Sequence, residues 1–305
     1  MQQTILEKFQ SIKPKNILVI GDIIFDKYVM GKTERLSPEA PVPVLNGMVE
    51  FTVPGGAANV ASNLIGMGHS TALVGVLGQN KMEDDLKLLR HWVPSFLIDC
   101  KQGCTPTKTR FISNRQQILR LDEENIQPIS TENENALMVL NFNFDTVVVS
   151  DYNKGTITPR IYSYIVKNCQ KNKTPLIVAP KKNINFYKGA NILVMNKIEY
   201  NSFVPKNFKP WKGLRYIVVT CGEDGIEYFN WKKVEGFHKA TAKYVVDVTG
   251  AGDSTLAAFT GCLSNDWDIG DATYIANIAG GIKVQRFGTC VVSKQDIIDE
   301  LRNVH

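Results

Sequence analysis

Six short runs of β-branched and large apolar residues punctuate the chain: NILVIG (16–21), TALVGV (71–76), TVVVS (146–150), PLIVA (175–179), NILVM (191–195) and YIVVT (216–220). They are continuous rather than alternating, the mark of strands buried on both faces, and so predict a parallel sheet covered by helices. The intervening segments predict those helices over 57–67, 81–91, 131–140, 158–170, 253–264 and 270–286, after a short amphipathic N-terminal helix in residues 1–16. Two early stretches, YVMGKTERLSPEAPVPVLNGMVEF (28–51) and TPTKTRFISNRQQILRLDEE (105–124), alternate apolar with polar residues instead. They read as antiparallel strands of a small β layer standing off the main sheet as a lid, with Pro38, Pro41 and Pro43 at edge positions that need no N–H donor. No repeat, linker or low-complexity tract interrupts residues 1–305, which read as one domain with lid segments at about 28–53 and 105–122.

Composition narrows the classes. With 305 residues, 44% hydrophobic, the chain can bury a large core. Its 35 basic residues exceed its 30 acidic ones, but the surplus is spread along the chain, which argues against nucleic acid as a partner. No apolar run approaches the ~20 residues that span a bilayer, and the N-terminus lacks a targeting pattern, so a cytoplasmic protein without membrane contact is expected. The six cysteines show no C-x-x-C pair or metal-ligand spacing and are read as free thiols.

The densest chemistry lies in VVDVTGAGDSTLAAFTGC (245–262). Gly250 and Gly252 permit a sharp turn and a close backbone approach to a ligand. The N–H groups opening the next helix then form an anion-binding nest, with Gly250, Ala251 and Gly252 aimed at migrating negative charge and Asp253 placed to take a proton. The plainer alternative is a capped helix after a tight turn. Neither a G-x-x-x-x-G-K-[ST] nor a G-x-G-x-x-G motif occurs, so nucleotide binding through those devices, and a dinucleotide-dependent oxidoreductase, are disfavoured.

At this point the chain resembles the ribokinase-like (PfkB) family of carbohydrate kinases over nearly its whole length. The family's closing signature D-[TV]-T-G-A-G-D stands as Asp247–Asp253, its opening Gly-Gly turn and helix as PGGAANVASN (54–63), and its first strand as NILVIGDIIFDKY. MNKIEY (195–200) is similar to the N-x-x-E element and TCGEDG (220–225) to the T-x-G-x-x-G element. GDIIFDKYVMGKTERLSPEAPVPV, KTRFISNRQQILRLDEE and SDYNKG add a narrower similarity to D-glycero-β-D-manno-heptose-7-phosphate 1-kinases. Those kinases occur alone or fused to an adenylyltransferase, and the sequence reads as the kinase without that fusion.

The resemblance implies a three-layer ribokinase-like sandwich with a mainly parallel sheet and an antiparallel β lid. It implies transfer of a phosphoryl group from ATP to the anomeric hydroxyl of the heptose phosphate, with Asp253 as general base and Gly250–Gly252 as anion hole. Asp22, Asp26, Gly55, Gly56 and Asn59 would face the sugar, with Lys154, Arg110, Arg120 and Arg35 as candidate cations for its distal phosphate. Asn196, Glu199, Thr220, Gly222 and Gly225 would serve the nucleotide, and Glu199 would reach Mg²⁺ through water. Asp247 is left with two readings, holding a monovalent cation, K⁺ in potassium-activated relatives, or capping its own loop. A homodimer through the lid is also implied. Two departures, VAPKK (178–182) with Ala179 in place of an acid and VMN (194–196), leave a kinase of another sugar as the alternative. A catalytically inactive sugar-phosphate-binding regulator is the rival of a different class, disfavoured because a binding module needs no base.

Overall fold

The computed structural model describes residues 2–78, 87, 89, 93, 95–99, 103–114, 116–140, 142–230 and 233–303. The helix expected over 81–91 falls almost wholly outside them, as does Cys100.

Seven parallel strands form the body of a nine-stranded sheet: β1 (Asn16–Gly21), β4 (Ser70–Leu77), β5 (Ser95–Asp99), β8 (Thr146–Ser150), β9 (Leu176–Ala179), β10 (Ile192–Asn196) and β11 (Tyr216–Thr220). Their order is β11-β10-β9-β8-β1-β4-β5, and the hairpin β12 (Ile226–Asn230) and β13 (Lys233–His238) extends the β11 edge antiparallel. That hairpin was not expected from the sequence, because its residues are mostly half-exposed or exposed and carry no continuous apolar run.

The continuous strand runs feed two cores, as side chains that alternate across a sheet require. In β1, Ile17 and Val19 enter one core while Leu18 and Ile20 enter the other. The first core receives α1 (Gln2–Gln10), α2 (Ala57–Gly66), α6 (Ala251–Ser264), α7 (Ile269–Val284) and α8 (Lys294–Asn303). The second receives α3 (Thr131–Leu137) and α4 (Pro159–Asn172). The α4 helix starts at a Thr158 cap whose hydroxyl accepts from Ile161 N, with Pro159 just inside. Helix α6 is buried nearly all round, which explains its small, apolar sequence.

A second sheet has the order β3-β2-β6-β7, from β2 (Ile23–Leu36), β3 (Pro43–Gly56), β6 (Thr107–Ser113) and β7 (Gln116–Glu123). It corrects one expectation. Each hairpin is antiparallel, but the two join through a parallel seam, β2 to β6, where Tyr28 lies opposite Arg110. Alternation within a strand reports its faces and says nothing of its neighbour's direction, so the seam had no local signal. Pro43 opens β3, an edge strand as expected, and Pro38 and Pro41 lie between β2 and β3. No described helix is long and apolar enough to cross a membrane.

Candidate active site

Parallel pairing brings the carboxyl ends of the strands to one rim, where open α/β sheets bind ligands. Gly21, Ser150 and Ala179 lie in register, as do Asn196 and Thr220. The chain leaving each strand there supplies Asp22, Tyr152, Lys181, Glu199 and Gly222 in turn.

Above this rim, α6 begins at Gly250, whose φ of 78° lies in the left-handed region. A Cβ there would also meet Asn59 Nδ2 at 2.9 Å, so glycine is required for both backbone and space. Ala251 N–H bonds Val248 O at 3.2 Å, while the rest of the first turn lacks intrahelical acceptors. Asp253, only 7% exposed, sits in that turn. Tyr152 hydroxyl donates to its Oδ1 at 2.6 Å and Asn59 Nδ2 donates to its Oδ2 at 2.8 Å. Burial pushes the Asp253 pKa up to about 6, against the lowering effect of these two donors. Burial also raises the Tyr152 phenol well above its ordinary range, so it remains a donor.

Two adjoining cavities share Thr220 and Gly252. One, about 80 Å³, is lined by Asp253, Tyr152, Lys181, Asn196 and Glu199. The other, about 280 Å³, is bounded by Gly222, Gly225, Val245, Val248, Asn277 and Gly280. A larger cavity of about 660 Å³ opens at the opposite end of the strands, against Thr146, Pro175 and Asn191, and shares no residue with the Asp253 cavity. The chemistry lies with the two smaller ones.

Asn196 and Glu199 form a capping box at α5 (Lys197–Phe203): Asn196 Oδ1 accepts from Glu199 N at 2.8 Å, and Glu199 Oε2 accepts from Asn196 N at 2.9 Å. Glu199 also pairs with Lys181. With its oxygens so engaged, Glu199 suits an outer contact to Mg²⁺, an ion that keeps waters and rides on phosphates. No described cluster of three or more His, Cys, Asp or Glu offers a metal cage.

The residues expected to face the sugar divide. Asp26 accepts from Arg110 Nη1 at 2.6 Å and from Thr289 hydroxyl at 2.9 Å, in a buried network closed by Tyr28. Gly55 lies against Asp26, since a Cβ there would meet its Oδ2 at 2.6 Å. Gly56, at φ 57°, ends β3 and starts α2 above the Asp22 carbonyl. Asp22, expected to face sugar, accepts with both oxygens from the backbone N–H groups of Tyr152, Lys154 and Thr156, at 2.8 to 3.0 Å. It clamps the loop that delivers Tyr152. Lys154 pairs with Glu124. Arg35 and Arg120 are exposed on the lid, Arg120 against Asp122 at 2.8 Å. Asp247 receives Thr249 N and Gly288 N at 2.9 Å each, the loop-capping alternative. Sequence reasoning passed over Tyr152, Lys181 and Thr289; Tyr152 lay in the quoted SDYNKG and Lys181 in the quoted VAPKK, neither with a role assigned.

A family model described as pfkB family carbohydrate kinase matches residues 14–296. The Bifunctional protein HldE of Campylobacter jejuni (strain RM1221) is 38% identical, over 98% of this chain but only 66% of its own length. The chain thus spans just under two thirds of that relative. Ribokinase from Giardia lamblia superposes with a TM-score of 0.74 at 16% identity, covering 96% of this chain and all (100%) of that one. Arabidopsis thaliana ribokinase, solved with ribose and ATP, gives 0.69 at 18% identity over 95% and 99%. At those identities the structural likeness concerns the fold, the three-layer ribokinase-like arrangement expected from the sequence.

Proposed function

The chain belongs to the pfkB family of carbohydrate kinases, and we propose that it transfers the γ-phosphoryl group of ATP to the anomeric hydroxyl of D-glycero-β-D-manno-heptose 7-phosphate. The observation that carries this reading is Asp253: a buried carboxylate in the first turn of α6, on a cavity shared with Lys181 and Glu199 and adjoining a larger one. In the proposed step the hydroxyl oxygen bonds to the γ-phosphorus as the bond to the bridging oxygen breaks. ADP leaves with that electron pair, and the hydroxyl proton passes to Asp253. The N–H groups of the Gly250–Gly252 turn offset charge developing on the phosphoryl oxygens.

Thr220, Gly222 and Gly225 border the larger cavity, which suits a nucleoside, and Asn196, Glu199 and Lys181 border the smaller, which suits phosphates. Mg²⁺, when bound with ATP, neutralises phosphate charge, and Glu199 would orient its waters. Asn59 positions the base, and Asp22 and Asp26, both already held by donors of the protein, are the acids for sugar hydroxyls. Arg110 and Lys154 are the better-placed cations for the distal phosphate, since Arg35 and Arg120 lie exposed on the lid. The lid would close over the sugar and exclude water. Its exposed apolar residues, among them Leu36, Met48, Val49, Leu119 and Leu121, favour a homodimer through that sheet.

One observation favours a second reading, a kinase of another sugar: Arg110 and Lys154 already hold carboxylate partners, which a substrate phosphate must displace. A coupled ADP-release assay with Mg·ATP across heptose 7-phosphate, fructose 6-phosphate, ribose and fructose separates the two. Preference for heptose 7-phosphate is expected. Preference for another sugar overturns the substrate and leaves the phosphoryl transfer intact, while ADP release with none of them argues for the inactive regulator only if binding persists.

A further inference from the structure

Lys283 is 0% exposed, in the last turn of α7. It stands in a helix of mostly small and apolar residues, IGDATYIANIAGGIKV, where a fully buried long cation needs a reason. Its ammonium donates to the backbone carbonyls of Asp247 at 3.1 Å and Arg286 at 3.2 Å. Around it the chain is stitched together. Val246 N and Asp247 N both donate to Val284 O, at 2.7 and 3.1 Å, and the Asp247 carboxylate spans Thr249 N and Gly288 N. The ammonium therefore sits between segment 246–249 and the turn that follows α7. Segment 246–249 runs straight into Gly250, and a Cβ on Gly250 would lie 3.8 Å from Lys283 Cε. The charge is placed behind the residue that opens the anion-binding turn.

Converging backbone carbonyls with a carboxylate alongside are also the donor set of a dehydrated monovalent cation such as K⁺. Here that set does not fit a free ion, because Lys283 occupies two of its carbonyls. We propose that Lys283 is a tethered cation that stands where a monovalent ion would otherwise be needed, fixing the 246–250 segment and setting a permanent positive charge behind the anion hole. Lys283 is a positioning residue: it touches no reacting atom, and the protein works without K⁺. Burial pulls its pKa below the ordinary lysine value, Arg286 adds to that pull, and Cys290, Asp247 and Asp26 offset part of it.

The kinetic arm of the test rests on the proposed phosphoryl transfer; a thermal arm needs no sugar and stays readable if the substrate assignment fails. At equal ionic strength in potassium or tetramethylammonium chloride, the unaltered protein is expected to keep the same Tm and the same rate. Lys283→Ala should lose kcat by about 100-fold with little change in the KM for ATP, the scale of one lost oxyanion contact. Ammonium or K⁺ should then restore about tenfold of that loss and raise the Tm of this variant alone. Lys283→Met, which fills the space without charge, should fold, lose kcat similarly and respond to neither ion. Activation or thermal stabilisation of the unaltered protein by K⁺ overturns the proposal, as does a folded Lys283→Met with full kcat or a Lys283→Ala that no cation rescues. If Lys283→Ala does not fold, the unaltered protein and Lys283→Met decide alone.

Discussion

Tyr152 and Asp253, 101 positions apart in sequence, are joined by a 2.6 Å hydrogen bond from the phenol to carboxylate Oδ1. With Asn59 donating to Oδ2, the proposed base is gripped from both sides by neutral groups that favour its charged form. Burial opposes them and prevails, leaving a pKa of about 6. An acid so poised is ionised at neutral pH, yet far more basic than an exposed aspartate.

The rate should therefore fall as pH drops through about 6, where Asp253 takes up a proton. Tyr152→Phe removes a donor that favours the carboxylate, so the acidic limb of the kcat/KM profile should move to higher pH. At pH 8 the variant should retain a rate within about tenfold of the parent, as one neutral hydrogen bond is worth ~1 kcal/mol. A profile that stays in place, or moves to lower pH, contradicts the role given to Tyr152.

Asp253→Asn should cost about 10²–10⁴-fold in kcat without unfolding the chain. Its stability should also show a signature. The folded pKa of Asp253 lies above its ordinary 3.8, so the extra stability of the protonated form is present below pH 4 and is lost as pH rises through about 6. The Asn variant escapes that loss, and relative to the parent it should gain roughly 2–3 kcal/mol between pH 4 and pH 7.5. Denaturant titrations at both pH values measure this; an unchanged difference would mean the carboxylate is not buried in solution.

Asp26 and Arg110 form an ion pair at 2.6 Å with both side chains 8% exposed. Removing one partner strands a buried charge. Arg110→Ala and Asp26→Ala should each lose about 3–5 kcal/mol, and the double variant much less than their sum. A rise in KM for a phosphorylated sugar on Arg110→Ala is meaningful only beside that cycle, and additive losses would show that the pair is not coupled.

The lid's exposed apolar face leads to a prediction about assembly. Val49, 64% exposed, and Leu119, 59% exposed, lie on strands of the small sheet. Val49→Lys with Leu119→Lys should convert a dimer to a monomer in sedimentation velocity, with the Tm of the monomer little altered. A parent that sediments as a monomer at micromolar concentration removes the proposed dimer.

Much of the candidate site was legible because its pieces are contiguous. Gly250 to Asp253 carries a turn, a helix start and an acid in one segment, and Asn196 and Glu199 are spaced by a single helical turn. The bonding of Asp22 was not legible for a local reason too: an acid after a strand looks the same whether or not it clamps a backbone loop. Only the positions of the Tyr152, Lys154 and Thr156 N–H groups distinguish these, and they arrive from another strand.

By itself the sequence determined the layers and the chemistry carried within short segments, because apolar runs and glycine turns express local periodicity and backbone freedom. The tertiary structure alone decided the parallel seam between β2 and β6, and which charges were already partnered, as Arg110 with Asp26 and Lys154 with Glu124. It also decided that Tyr152 and Asn59 hold Asp253 and that Lys283 is spent inside the loop leading to Gly250. The reason is that such pairs join segments some 30 to 200 residues apart, and strand order, which brings them together, leaves no trace in the spacing of neighbouring residues.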